Sequence, residues 1–151
     1  MTVAVRVQPG SALAGRDAAG LAEFRRLLAR AVRSALRHQK VPTAEVSLTL
    51  LDDAEIEAMN REFLQHAGPT DVISFPLFGA GEDPVADIYI GYDQVLRQAV
   101  SNDVAADEEM IRVAVHGVLH ALGHDHPAGA DRDESPMWAV QEEIVAQVLS
   151  R

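Results

Sequence analysis

The sequence predicts an α+β domain, one small sheet of about four strands covered by helices. Three observations predict it. Period-two apolar runs occupy the first half of the chain, helical periodicity dominates the second half, and Gly/Pro turn signals separate the segments. At 151 residues, 48% hydrophobic and 24% charged, the chain has the size and composition of one ordinary globular domain, so 1–151 is expected to form a single folding unit.

The elements follow in order. Val3, Val5 and Val7 alternate with polar neighbours as a strand ended by Pro9 and Gly10. Leu21, Phe24, Leu27, Leu28, Ala31, Val32, Ala35 and Leu36 then repeat with helical period, predicting a helix over about 18–38. Val46, Leu48 and Leu50 restore a period of two. Asp52 or Asp53 can cap a second helix carrying Ile56, Met59 and Phe63, which Gly68-Pro69 breaks. Val72 to Phe75 is a short strand stopped by Pro76, and Ile88 to Ile90 is another. Three helical stretches complete the chain, near 93–100, 105–122 and 136–149.

Composition narrows the function classes. With no cysteine, the chain has no disulfide, thiolate metal site or thiol nucleophile, and a reducing compartment suits it. The first residues lack a signal-peptide pattern, and no apolar run approaches the roughly 20 residues of a membrane span, so a cytoplasmic location with no membrane partner is expected. The net charge of −10 conceals an asymmetry. Residues 1–40 hold eight basic and two acidic side chains, a balance of +6, whereas 41–151 hold five basic and 21 acidic, a balance of −16. Arg26, Arg30, Arg33 and Arg37 share one ridge of the first helix, with Arg25, His38 and Lys40 nearby; the ridge reads either as a solvated face or as a phosphate-contacting surface.

Four of the six histidines fall between His116 and His126. His116 and His120 are four apart in a strongly helical stretch, so both rings leave the same face and suit one metal ion. Gly123 supplies a left-handed helix stop, after which the chain can return His126 to the same point. Three neutral imidazoles, each about 2.0–2.1 Å from the ion with a fourth position for water, make the first shell of a catalytic zinc. His124 is expected to aim elsewhere, and Asp125 to support the shell by a hydrogen bond. The order HxxxHxxGxxH is that of metzincin peptidases, but their catalytic Glu follows the first His, and here that position is Gly117. Without that general base a peptidase mechanism is not expected.

Two motifs carry a family resemblance. His116, Gly117, Leu119, His120, Gly123, Asp125 and His126 match HGxLHxxGxDH. Asn60 with Pro69 to Pro76 matches an Asn followed by a Pro-Thr-Asp-Val-(Leu/Ile)-Ser-Phe-Pro run. On these the chain resembles the YbeY family of bacterial endoribonucleases and rRNA maturation factors, with weaker agreement at Asp87-Ile88, Met137, Gln141, Glu142 and Glu143. The resemblance implies a zinc-dependent, single-strand-specific endoribonuclease acting in 16S rRNA 3′-end maturation and ribosome quality control. Zn2+ would be held one per chain by His116, His120 and His126, and the partners would be rRNA, the small ribosomal subunit and ribosomal proteins or GTPases.

One departure stands out. Many family members place an Arg four residues after the Asn, a register that falls on Leu64 here; His66 or Arg61 would then supply the missing positive charge beside the zinc-bound water. The alternative reading is a ribosome-assembly factor that holds RNA without cutting it and keeps zinc for structure. Thr70, Asp71 and Ser74 read as cleft-lining groups near the metal, with Thr70 and Asp71 alternatively shaping the turn into the strand; Met137 reads either as lying beneath the metal site or as core of an amphipathic helix, and Trp138 as core.

Overall fold

The alternation of Val3, Val5 and Val7 becomes β1 (Thr2–Gln8), with those three side chains turned to the core. The computed structural model describes residues 2–13, 17–64, 68–124 and 135–150. A 3-10 turn over Gly10–Leu13, not signalled by periodicity, follows β1. Gly10 has φ +58°, and a Cβ there would stand 2.6 Å from the Leu50 carbonyl oxygen, so glycine is required on both counts. α1 (Ala18–His38) is capped by Asp17, whose carboxylate accepts from Gly20 N at 2.7 Å. It buries the stripe Phe24, Leu28, Ala31, Val32, Ala35 and Leu36.

β2 (Thr43–Leu51) alternates buried and less buried positions, and extends past both ends of the apolar run that predicted it. α2 (Asp53–Leu64) starts with a capping box in which Asp52 accepts from Glu55 N at 2.8 Å and Glu55 accepts from Asp52 N at 3.1 Å. Then come β3 (Val72–Pro76), β4 (Val85–Gly91), α3 (Tyr92–Ser101), α4 (Ala106–Ala121) and α5 (Pro136–Leu149).

The sheet order is β1-β2-β4-β3, with β1, β2 and β4 parallel and β3 antiparallel to β4. Helices connect the parallel strands, as parallel pairing demands. One face of the sheet, with Leu48, Leu50, Ile88 and Ile90, packs with α1, α4 and α5 as the main core. The other carries Ile73, Phe75 and Tyr89 against Ile56 and Met59 of α2. Phe75 there makes edge-on contacts with Tyr89 and Phe63, at centroid distances of 5.9 and 5.6 Å. Arg97 of α3 bridges to α2, donating to both Asp53 oxygens at 2.9 Å. Those hydrogen bonds hold the Asp53 carboxyl below its ordinary pKa. The pair therefore contributes above the ordinary carboxylate pKa and is lost as pH falls through the lowered one.

The arginines of α1 do more than face solvent. β1 is an edge strand, and Arg25 and Arg33 donate to its Val7 and Val3 carbonyl oxygens at 3.1 and 2.9 Å. Arg30 donates to Val148 O in the last turn of α5 at 3.2 Å, where a cation also opposes the negative helix end. Arg26 and Arg37 are exposed. The expected uniform ridge is thus divided between clamps on backbone oxygens and free surface.

α4 is the central helix. Ten of its 16 residues are buried, and it packs against α1, α3, α5, β3 and β4. The sheet comes closest at Gly117, where a Cβ would lie 2.9 Å from Ile88 Cγ2, 3.1 Å from Val72 Cγ2 and 3.2 Å from Ser74 Oγ. Ser74 Oγ also donates to Gly117 O at 2.9 Å. Alanine at an open helical site would gain about 1 kcal/mol over glycine. Here overpacking, typically 1–3 kcal/mol, opposes that gain. Gly117→Ala is expected to lower the urea midpoint rather than raise it.

Candidate metal centre

α4 delivers His116 and His120 from one face, with ring centroids 5.5 Å apart and planes inclined by 52°. His116 is half-buried and His120 exposed, so the pair stands at the boundary between core and solvent. Gly117, between them, faces the sheet. A side chain at this position would enter the packed layer of Ile88 and Val72, which is why no carboxylate follows His116.

The orientation of His116 is set from α5. Gln141, only 2% exposed, points its amide nitrogen at Glu142 Oε2, 3.1 Å away, and its amide oxygen at His116 Nδ1, 2.7 Å away. A carboxylate only accepts, so the Gln141 nitrogen must face Glu142 and the oxygen must face the ring. His116 Nδ1 is therefore the N–H. In the neutral ring Nε2 then carries the lone pair that a metal ligand needs.

The turn after α4 is held as firmly. Leu122 N, Gly123 N and His124 N donate to the carbonyls of Val118, His120 and Leu119, each at 3.0 Å, and Gly123 has φ +100°. His124 Nε2 donates to Gln39 Oε1 at 2.6 Å; Gln39 Nε2 donates to His38 Nδ1 at 3.0 Å; His38 Nε2 donates to Glu143 Oε2 at 3.0 Å. This chain ties the exit of α4 to the end of α1 and to α5, and it gives His124 Nε2 a partner in Gln39. His126, Asp125 and His66 lie outside the described residues. Among the described residues no group of three potential metal ligands forms.

Behind His116 lies an ionic cluster. Arg112 donates to Glu142 through Nε and Nη2, each at 2.9 Å, to Glu109 at 2.8 Å and to Glu108 at 3.0 Å. The bonds to Glu142, ahead of those to Glu109 and Glu108, raise the guanidinium pKa although burial opposes the charge. The cluster borders an open cavity of about 430 Å³ between α3, α4 and α5, lined also by His116, Asp71 and Trp138.

The remaining candidates divide. Asn60 is buried and donates to Gly68 O at 2.9 Å, closing the segment after α2. Arg61 pairs with Glu57 at 3.0 Å on an exposed side of α2, and α2 covers the sheet face opposite α4. Leu64 is 45% exposed. Ser74 serves the β3–α4 contact, while Asp71 lines the cavity. Met137 is core, as its helical position implies, but Trp138 is only half-buried and faces the cavity. The Arg112 cluster and the Gln39 link were not among the sequence expectations. Glu108 and Arg112 at helical i,i+4 spacing are the one local signal of the former.

A mixed four-stranded sheet, crossed by a central helix that presents two histidines at its solvent end, defines the class. The family model described as endoribonuclease YbeY matches residues 15–149, and the chain belongs to that family. Relatives named endoribonuclease YbeY include one from Syntrophotalea carbinolica, 38% identical over 75% of this chain and 79% of its own. Another, from Persephonella marina, is 34% identical over 80% of each chain. The solution structure of a Thermotoga maritima protein shares the fold, with a TM-score of 0.62 at 24% identity over 97% of this chain and 89% of its own.

Arg112→Met would leave Glu109, 4% exposed, without its cation. Breaking a buried pair from one side costs about 3–5 kcal/mol. Urea denaturation at pH 7 should show a loss of this order, part of it recovered by adding Glu109→Gln.

Proposed function

We propose that this chain is a zinc-dependent endoribonuclease that cuts single-stranded RNA, acting on 16S rRNA near its 3′ end and in ribosome quality control. The observation that carries the reading is the oriented His116–His120 pair in a chain of the YbeY family. The donor set suits the metal: two imidazoles leave one helix face, and Gln141 holds the ring of one of them by Nδ1. His116, His120 and His126 would hold the ion. Bound there, zinc supplies a Lewis acid for a phosphoryl oxygen and an acidified water.

The chain's own residues do the rest. Gln141 fixes the ring of His116, and the His124–Gln39 bond fixes the turn from which the chain continues to His126. With Gly117 against the sheet, the helical position after His116 carries no carboxylate to take a proton, which separates this site from a metzincin peptidase. Arg61, on leaving Glu57, and His66 are the candidates for a cation at the scissile phosphate. A cytoplasmic site of action and the small ribosomal subunit, with ribosomal proteins or GTPases, complete the reading. Among the described residues no helix is long and apolar enough to cross a membrane.

An assembly factor with a structural zinc is the second reading. It is favoured by exposed Leu64 in the register of the family arginine and by the Glu57 partner of Arg61.

Native protein should carry about one zinc per chain and cleave single-stranded RNA, and His120→Ala from a parallel preparation should lose both. Zinc retained by the native protein with no cleavage above the mutant background selects the assembly-factor reading. Gln141→Met, which removes the acceptor for His116 Nδ1–H, should weaken zinc binding about 10- to 100-fold in chelator competition, and Gln141→Glu should restore most of it.

A further inference from the structure

The cavity beside His116 has a use that the proposed metal site leaves open. Its volume of about 430 Å³ lies in the range of roughly 300–1,000 Å³ that holds a small organic group. Three carboxylates line it, from Asp71, Glu109 and Glu142, against one cation, Arg112. That cation is spent: every guanidinium nitrogen of Arg112 already donates to Glu142, Glu109 or Glu108. A phosphate entering the cavity would meet uncompensated negative charge. A neutral group carrying N–H donors would not.

Two lining residues define that group further. Trp138, the only tryptophan of the chain, is half-buried and offers an aromatic wall, the surface on which unpaired bases stack. Asp71 spends one carboxylate oxygen on Gln98 Nε2 at 3.3 Å and keeps further acceptor capacity. We infer that the cavity is a nucleobase subsite, in which a base of the RNA lies against Trp138 and turns its N–H donors to Asp71. The inference rests on the endoribonuclease reading and specifies what that site selects. Guanine offers two adjacent donors to a carboxylate, and cytosine and adenine offer an exocyclic amine. Uracil offers one N–H flanked by two carbonyl oxygens, which a carboxylate repels, and so fits worst. The polyanionic strand would run outside, with one base turned inward beside the phosphate nearest His116.

Free nucleosides test the subsite without any bond to cleave. Guanosine, cytidine and uridine are titrated into the zinc-loaded protein, following Trp138 fluorescence and the Trp138 indole N–H resonance. Guanosine and cytidine should perturb both signals at least about fivefold more strongly than uridine at equal concentration, the factor expected of one good donor–acceptor match. Asp71→Asn should narrow the gap between cytidine and uridine. Equal responses to all three nucleosides, or no response, overturn the subsite. RNA cleavage is measured on the same preparation. Cleavage without a base-dependent Trp138 signal overturns the subsite and leaves the nuclease reading intact; a base-dependent signal without cleavage supports the subsite and overturns the nuclease reading.

Discussion

The candidate site depends on how closely α4 crosses the sheet. Gly117 lets the helix backbone settle against Ile88 and Val72, and the Ser74 hydroxyl takes up the carbonyl exposed at that contact. Once the helix is seated, its rotation is fixed, because a buried helix cannot turn without moving its ten buried residues. His116 and His120 then have one direction available, toward the solvent edge beyond the sheet. The same contact leaves the position after His116 without a side chain, so the packing of this fold and the absence of a peptidase base have one cause.

Behind the histidines, charge is arranged in layers. Arg112 gathers carboxylates from its own helix and from α5, and one of them, Glu142, fixes the amide of Gln141. Gln141 in turn fixes the imidazole of His116. The path from guanidinium to ring nitrogen crosses only side chains with fixed donor or acceptor roles, so the tautomer of His116 follows from an ion pair two residues away from it in space. Stability and ligand orientation therefore share residues. A substitution that loosens the α4–α5 interface acts on both.

Much of this was legible in the sequence where the pattern was local. The four strands, α1 and α5 follow their apolar periods closely, and the helix stop at Gly123 has the positive φ that its position implied. Of the two caps the sequence left open for α2, Asp52 is the one that accepts from the helix, at Glu55 N. What escaped the sequence joins residues far apart in the chain. Arg25 and Arg33 resemble surface charges on a helical wheel, and only the position of β1 turns them into donors for an open strand edge. The same holds for Gln39 and His124, 85 residues apart, and for Trp138, whose amphipathic position suggested core while α3 and α5 leave a cavity beside it.

The Gln39–His124 bond has a consequence for the segment that follows. His124 is anchored to α1, and Ser135 opens α5 as its cap, accepting from Trp138 N at 3.2 Å. The chain between them therefore departs and returns at two points set by helix packing. The entropy of bringing those two points together is met when the core forms, rather than when a ligand arrives. An imidazole carried on so short a tether meets its neighbours at an effective concentration fixed by geometry, far above that of a free histidine in solution. For the third proposed ligand, His126, metal capture would then draw on an arrangement that folding has already set.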